Sequence, residues 1–128
     1  MVRRSPYARA AKRAARAAEN KKAIDIKLYN VASFSPLAEY YLVATVESAP
    51  QADAVADEIS DALKGWSGCS VVRREGRSRA PWRILDYGGL VVHVMNSAAR
   101  GFYGLERLWE SARTVKWDEA GGSAGRKP

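Results

Sequence analysis

The segment that decides the architecture is Trp82-Arg83-Ile84-Leu85-Asp86-Tyr87-Gly88-Gly89-Leu90-Val91-Val92-His93-Val94-Met95. Two β-prone runs flank a pair of glycines, which is the composition of a tight hairpin. With Gly88 and Gly89 as the loop, Tyr87 pairs with Leu90, Leu85 with Val92 and Arg83 with Val94. Alternation by two puts these residues on one mostly apolar face, read as the core side. The opposite face carries Trp82 across from Met95, Ile84 across from His93 and Asp86 across from Val91. On it Asp86 and His93 are diagonal neighbours, within contact range through the twist.

Working outward, Tyr40–Val46 is an unbroken β-prone run, as expected of a strand covered on both faces. Ile24–Val31 mixes apolar and polar residues and reads as a half-exposed strand, and Ser33-Phe34-Ser35-Pro36 between the two is loop chemistry. Ser48 and Gln51 have capping-box spacing, and Pro50 is tolerated in a first helical turn. Beyond them Ala52, Val55, Ala56, Ile59, Ala62 and Leu63 form one apolar stripe, opposite a solvated face of Asp53, Asp57, Glu58, Asp61 and Lys64, until Gly65 ends the helix. A short strand near Ser70–Arg73 leads into a basic loop, Arg73–Arg79. A last helix, about Ala98–Ser111, places Phe102, Leu105, Leu108 and Trp109 on one face. Strands and helices interleaved in this order predict a single α/β (mixed α+β) layered domain, helices against a mixed sheet.

The chain has 128 residues, enough for one domain with a real core. No apolar run approaches the ~20 residues of a membrane-spanning helix. One cysteine, Cys69, excludes an internal disulfide and any multi-cysteine metal site, and one histidine, His93, excludes multi-histidine zinc sites. The net charge of +7 is unevenly placed. Residues 1–22 hold eight bases and one acid, so the whole excess falls there, and residues 23–128 hold thirteen of each. This arm opens on Ser5-Pro6, a cap followed by a first-turn proline. Ala10, Ala11, Ala14, Ala15 and Ala18 then recur at helical spacing, with Arg9, Lys12, Arg13 and Arg16 between them. An alanine stripe buries little area. Three readings fit: a helix lying loosely on the body, an RNA- or phosphate-contacting arm, and an organellar transit peptide.

The Trp82 face of the hairpin invites two functional readings. An Asp86–His93 pair is suited to orienting an imidazole for acid–base work. No nucleophile accompanies it, because Cys69 sits in an apolar context and no serine lies in a G-x-S-x-G turn. A histidine hydrogen-bonded within the fold is therefore the preferred reading. The second is a protein-docking face, with Trp82, Met95 and Ile84 as a compact anchor. There is no P-loop and no G-x-G-x-x-G after a strand. No D-x-D carboxylate pair follows a Gly-Ser turn, as magnesium-dependent nucleotide transfer on such a fold requires.

Ile84-Leu85-Asp86-Tyr87-Gly88, Val91-Val92-His93-Val94 and Arg100-Gly101-Phe102-Tyr103-Gly104-Leu105-Glu106-Arg107-Leu108-Trp109 resemble the signature of the ribosomal silencing factor family (RsfS, also called Iojap). Asn20–Ile26, Glu39–Thr45 and Glu75-Gly76 resemble its upstream segments, so the likeness runs over roughly residues 15–115. It implies a mixed sheet flanked by helices, similar to the nucleotidyltransferase fold without its catalytic carboxylates. The implied protein is non-enzymatic and cofactor-free, acts in the bacterial cytoplasm, and in some members forms homodimers. It binds ribosomal protein 14 of the large subunit, blocks joining of the small subunit and represses translation. The chain departs from the family pattern at Glu39, Val46, Pro50, Gly89 (usually Asp) and Asn96 (commonly His). The resulting expectation is an arm at residues 1–22, a domain at 23–117 and a disordered tail at 118–128. Docking anchors are expected at Trp82, Ile84, Leu85, Asp86 and Tyr87, with His93 as polar neighbour, and rRNA contact at Arg9, Lys12, Arg13 and Arg16. The alternative function is a basic RNA-binding module in ribosome assembly.

Overall fold

The unbroken β-prone run Tyr40–Val46 sits in the middle of the sheet, where both of its faces are covered. In the computed structural model, residues 6–33, 35–66, 73–76, 80–110 and 112–118 are described. The elements in chain order are α1 (Pro6–Asn20), β1 (Ile24–Asn30), β2 (Tyr40–Val46), α2 (Ala49–Leu63), β3 (Arg73–Glu75), β4 (Trp82–Asp86), β5 (Leu90–Asn96), α3 (Ser97–Tyr103), a 3-10 helix (Leu105–Trp109) and β6 (Arg113–Thr114). The sheet order is β3-β4-β5-β2-β1-β6. Only the β2–β5 pair is parallel and the others are antiparallel, so the sheet is mixed. The hairpin register is the one read from the two-glycine loop, Trp82 opposite Met95 through Asp86 opposite Val91.

Alternation along the strands divides the interior in two. Leu28, Leu42, Ala44, Leu85, Tyr87, Leu90, Val92 and Val94 meet α1 and α2 on one face. Tyr29, Val31, Val43 and Met95 meet Ala99 and Trp109 on the other. Helix α2 is capped at Ser48 as its spacing predicts, Oγ accepting from the Gln51 amide at 3.1 Å, while Gln51 Oε1 reaches one residue further back and accepts from the Glu47 amide at 2.7 Å. Gln51 Nε2 also donates to the Lys21 carbonyl at 3.0 Å, fastening the start of α2 to the end of α1.

Helix α1 is not the loosely attached helix that a small alanine stripe suggests. Ala10, Ala11, Ala14, Ala15, Ala17 and Ala18 are all buried, and they share one core cluster with α2 and the sheet. Side chains this small let the helix axis approach closely, so contact density compensates for the modest area of each methyl. The packing therefore runs through residue 22 without a boundary. At the far end, Trp117 Nε1 donates to the Ile26 carbonyl at 3.2 Å, and the chain from residue 119 onward, with the tail reading, lies outside the described residues. So do Cys69, the stretch 70–72 of the short-strand reading and the stretch 77–79 of the basic loop.

The last helix is shorter than its apolar spacing predicts. Gly104 adopts the left-handed conformation (φ +57°) and closes α3, its amide bonding the Arg100 carbonyl at 3.1 Å. The following 3-10 turn rotates the faces apart: Trp109 is buried, while Phe102 and Leu108 are exposed. Asn96 Oδ1 accepts from the Ala99 amide at 2.7 Å and so caps α3.

Gly89 sits where α1 meets the hairpin turn. A Cβ at this position would meet the Tyr7 ring at 2.3 Å, so this placement of the ring uses the absence of a side chain at 89. Gly89→Ala is expected to cost about 1–3 kcal/mol by overpacking. In a Tyr7→Ala background the same change should cost about 0.5 kcal/mol or less. Urea denaturation of the four-member cycle checks this, and an equal cost in both backgrounds removes the contact as the cause.

Candidate functional site

On the face of the sheet away from α1 and α2, rings from six elements form a continuous line. The exposed Phe102 stands edge-on to Tyr103, with centroids 5.1 Å apart. Tyr103 lies 4.8 Å from Trp82, and Trp82 lies 5.7 Å from His93. His93 is then flanked by Tyr41 at 5.5 Å and Trp109 at 5.8 Å. Trp109 in turn packs on Tyr41 and Tyr29. The line runs from fully exposed to fully buried: Phe102 is 83% exposed, Tyr103 50% and His93 7%. Of the five large hydrophobic residues exposed among those described, Phe102, Tyr103 and Leu108 belong to the α3 and 3-10 segment. An exposed apolar patch backed by rigid rings is the form of a protein-docking surface.

His93 belongs to the support of this face. Trp82 Nε1 donates to His93 Nδ1 at 3.0 Å, which leaves the ring proton on Nε2. Burial pushes the imidazole down to about 4, while the nearby Asp86 carboxylate acts in the opposite sense. Asp86 itself is used by the hairpin turn, Oδ1 accepting from the Gly88 amide at 2.8 Å. The diagonal Asp86–His93 pair thus interacts through space, and the imidazole's acceptor is committed to Trp82. This is the arrangement of a structural histidine.

A charged clamp seats the segment carrying Phe102 and Trp109. Arg100 donates to both oxygens of Glu106, at 2.7 and 2.9 Å, to Thr45 Oγ1 at 2.8 Å and to the Asp25 carbonyl at 2.5 Å. Asp25 sits at a β-bulge with φ +48°, which turns that carbonyl toward the guanidinium. The Tyr29 hydroxyl donates to the same Glu106 carboxylate, and burial, followed by that carboxylate, pushes the phenol up to about 12. The hydrogen bond from Arg100 holds Glu106 below the usual carboxylate range.

The structure separates the expected anchors. Trp82, Ile84 and Asp86 are partly exposed on the open face, with His93 beneath. Leu85 and Tyr87 point the other way, 0% and 3% exposed against the α1/α2 core, so they hold the hairpin and cannot touch a partner. The same alternation that places Trp82 outside places Leu85 inside. The helical spacing that puts Phe102, Leu105, Leu108 and Trp109 on one face is broken at Gly104, which leaves Phe102 and Leu108 exposed while Trp109 is buried. The signal available in the sequence was the pair Gly101 and Gly104 within a short helical stretch. Arg9, Lys12, Arg13 and Arg16 line a groove between α1 and α2 on the opposite face of the sheet. Among the described residues, no group of three or more His, Cys, Asp or Glu is placed to hold a metal. No helix among them is long and apolar enough to cross a membrane.

Residues 4–127 match the family model described as ribosomal silencing factor during starvation. The chain is 38% identical over 105 residues to the ribosomal silencing factor RsfS of Bacillus subtilis (strain 168), covering 82% of this chain and 88% of that one. To the RsfS of Halalkalibacterium halodurans it is 34% identical over 103 residues, covering 80% and 87%. The fold is similar to that of a crystal structure from Chromobacterium violaceum, with a TM-score of 0.74 and 32% identity over 93% of this chain and 87% of that one.

The neutral His93 couples the fold to pH. The unfolded chain takes up a proton near pH 6.5 that the folded chain refuses until about pH 4. The associated stability is complete above pH 6.5 and is lost as pH falls toward 4, by about 3 kcal/mol in total. In His93→Asn, whose Oδ1 keeps an acceptor for Trp82 without titrating, this loss should disappear. Urea denaturation of both proteins between pH 7 and 4 measures it, and parallel pH profiles would exclude His93 as the group responsible.

Proposed function

We propose, for a chain that belongs to the ribosomal silencing factor family, that the open aromatic face docks on ribosomal protein 14 of the large ribosomal subunit. The bound domain occupies surface that the small subunit needs, so subunit joining is blocked and translation is repressed. The observation that carries this reading is the ring line Phe102–Tyr103–Trp82, exposed at one end and braced at the other by His93 and Trp109. Rigid aromatic anchors lose little conformational freedom on binding and concentrate affinity at an interface centre. The mechanism is steric and asks no chemistry of the site, in keeping with a histidine whose acceptor is already engaged. The place of action is the bacterial cytoplasm, where the two subunits meet.

Truncating a central aromatic anchor costs about 2 kcal/mol, so Trp82→Ala should weaken co-sedimentation with isolated large subunits by about tenfold or more. Phe102→Ser, at a position too exposed to affect the core, should weaken it in the same direction. Wild-type protein in excess should hold subunits apart in a sucrose gradient under conditions where they otherwise join. Unaltered binding by both variants removes this face from the interface, and normal joining in the presence of excess protein removes the mechanism.

A further inference from the structure

We propose that the groove between α1 and α2 is a binding site for single-stranded RNA. The groove lies on the face of the sheet opposite the aromatic line, so the two surfaces are available at once, and this site stands independently of the docking reading. Its α1 wall carries Arg9, Lys12, Arg13 and Arg16, and its α2 side carries Glu58 and Asp61, with Trp66 also lining it. Arg9, Arg13 and Arg16 are spaced by four and three residues, so they lie along one face of α1. At 1.5 Å per residue their rises are about 6 and 4.5 Å, on the scale of successive phosphates in a strand.

A second feature distinguishes a nucleic acid from other anions. Arg13 Nε donates to the Ala62 carbonyl at 2.6 Å, and its guanidinium carbon stands 4.9 Å from the centroid of the Trp66 ring. The guanidinium is thereby held over an indole face, and an arginine–tryptophan pair of this kind offers flat surfaces on which a nucleobase stacks. A row of cations that tracks a backbone, beside a stacking platform for bases, is the general form of a single-strand binding groove. Glu58 and Asp61 repel phosphate and confine the backbone to the α1 wall. An acidic peptide satisfies the cations equally well but has nothing to stack on the Arg13–Trp66 platform.

The test uses the full chain and a fluorescently labelled ten-nucleotide oligo-U, read by anisotropy. Binding is expected at about 1–100 µM at physiological salt, with log K falling against log salt at a slope of about −3. Arg9→Gln with Arg16→Gln, both exposed positions, should weaken binding by about tenfold or more and flatten the slope by about 1.4. Trp66→Leu should weaken RNA but not an inorganic polyphosphate of equal charge. Trp82→Ala, which alters only the opposite face, should leave RNA binding unchanged, so failure of either site is told apart from failure of the other. An unchanged affinity in the double arginine variant, or polyphosphate bound as tightly as RNA, overturns the proposal.

Discussion

The parallel pairing of β2 with β5 is the constraint on which the rest of the molecule depends. These two strands lie side by side from Tyr40 opposite Leu90 to Val46 opposite Asn96, and helices or loops cover both of their faces. Because successive residues point to opposite faces, this register assigns Leu42, Ala44, Val92 and Val94 to one interior and Val43, His93 and Met95 to the other. A slip by one residue would exchange the two sets, driving His93 among the alanines of α1 and aliphatic side chains among the rings. The neighbouring pairs fix their side chains by the same alternation. The exposure of Trp82 and the burial of Leu85 are therefore both consequences of where the middle of the sheet is pinned.

The two faces are finished by different means. On one, α1 brings six buried alanines against the sheet and the Tyr7 ring against Gly89, and the helix's long charged residues stand outward beside α2. On the other, large rings fill the space and a short, broken helical segment covers them incompletely. Small residues give close contact and a smooth join. Large rings around a neutral imidazole give a stiff surface that ends in solvent. The charge of the chain follows the same division, its excess lying on the residues 1–22 that include α1.

The hairpin register was legible because two glycines leave one economical loop and the flanking runs alternate cleanly. The α2 cap was legible for the same local reason, through Ser48 and Gln51. What spacing along the chain does not carry is the partner. Five regularly spaced alanines state a helix face but not the closeness of its approach, which depends on the methyl-lined surfaces it meets. The hydrogen bond from Trp82 to His93 links diagonal positions whose ring directions are set by Tyr41 and Trp109, residues distant in sequence. Leu85 and Tyr87 were grouped with the anchors because a motif lists consecutive residues, whereas a strand offers a partner only every second one. Phe102 and Leu108 fitted a helical stripe, and one left-handed glycine between them voided it.

The Arg100 clamp joins the Asp25 bulge in the first strand to Glu106 in the 3-10 turn. Five of the six strands precede Arg100, whereas β6 and Trp109, which closes the ring cluster over His93, come after it. In the order of the chain, then, the β2–β5 pair is written before either the edge strand β6 or the final ring of the opposite surface. One guanidinium thus ties the finish of the aromatic face to a bulge in the first strand, 75 positions earlier in the chain.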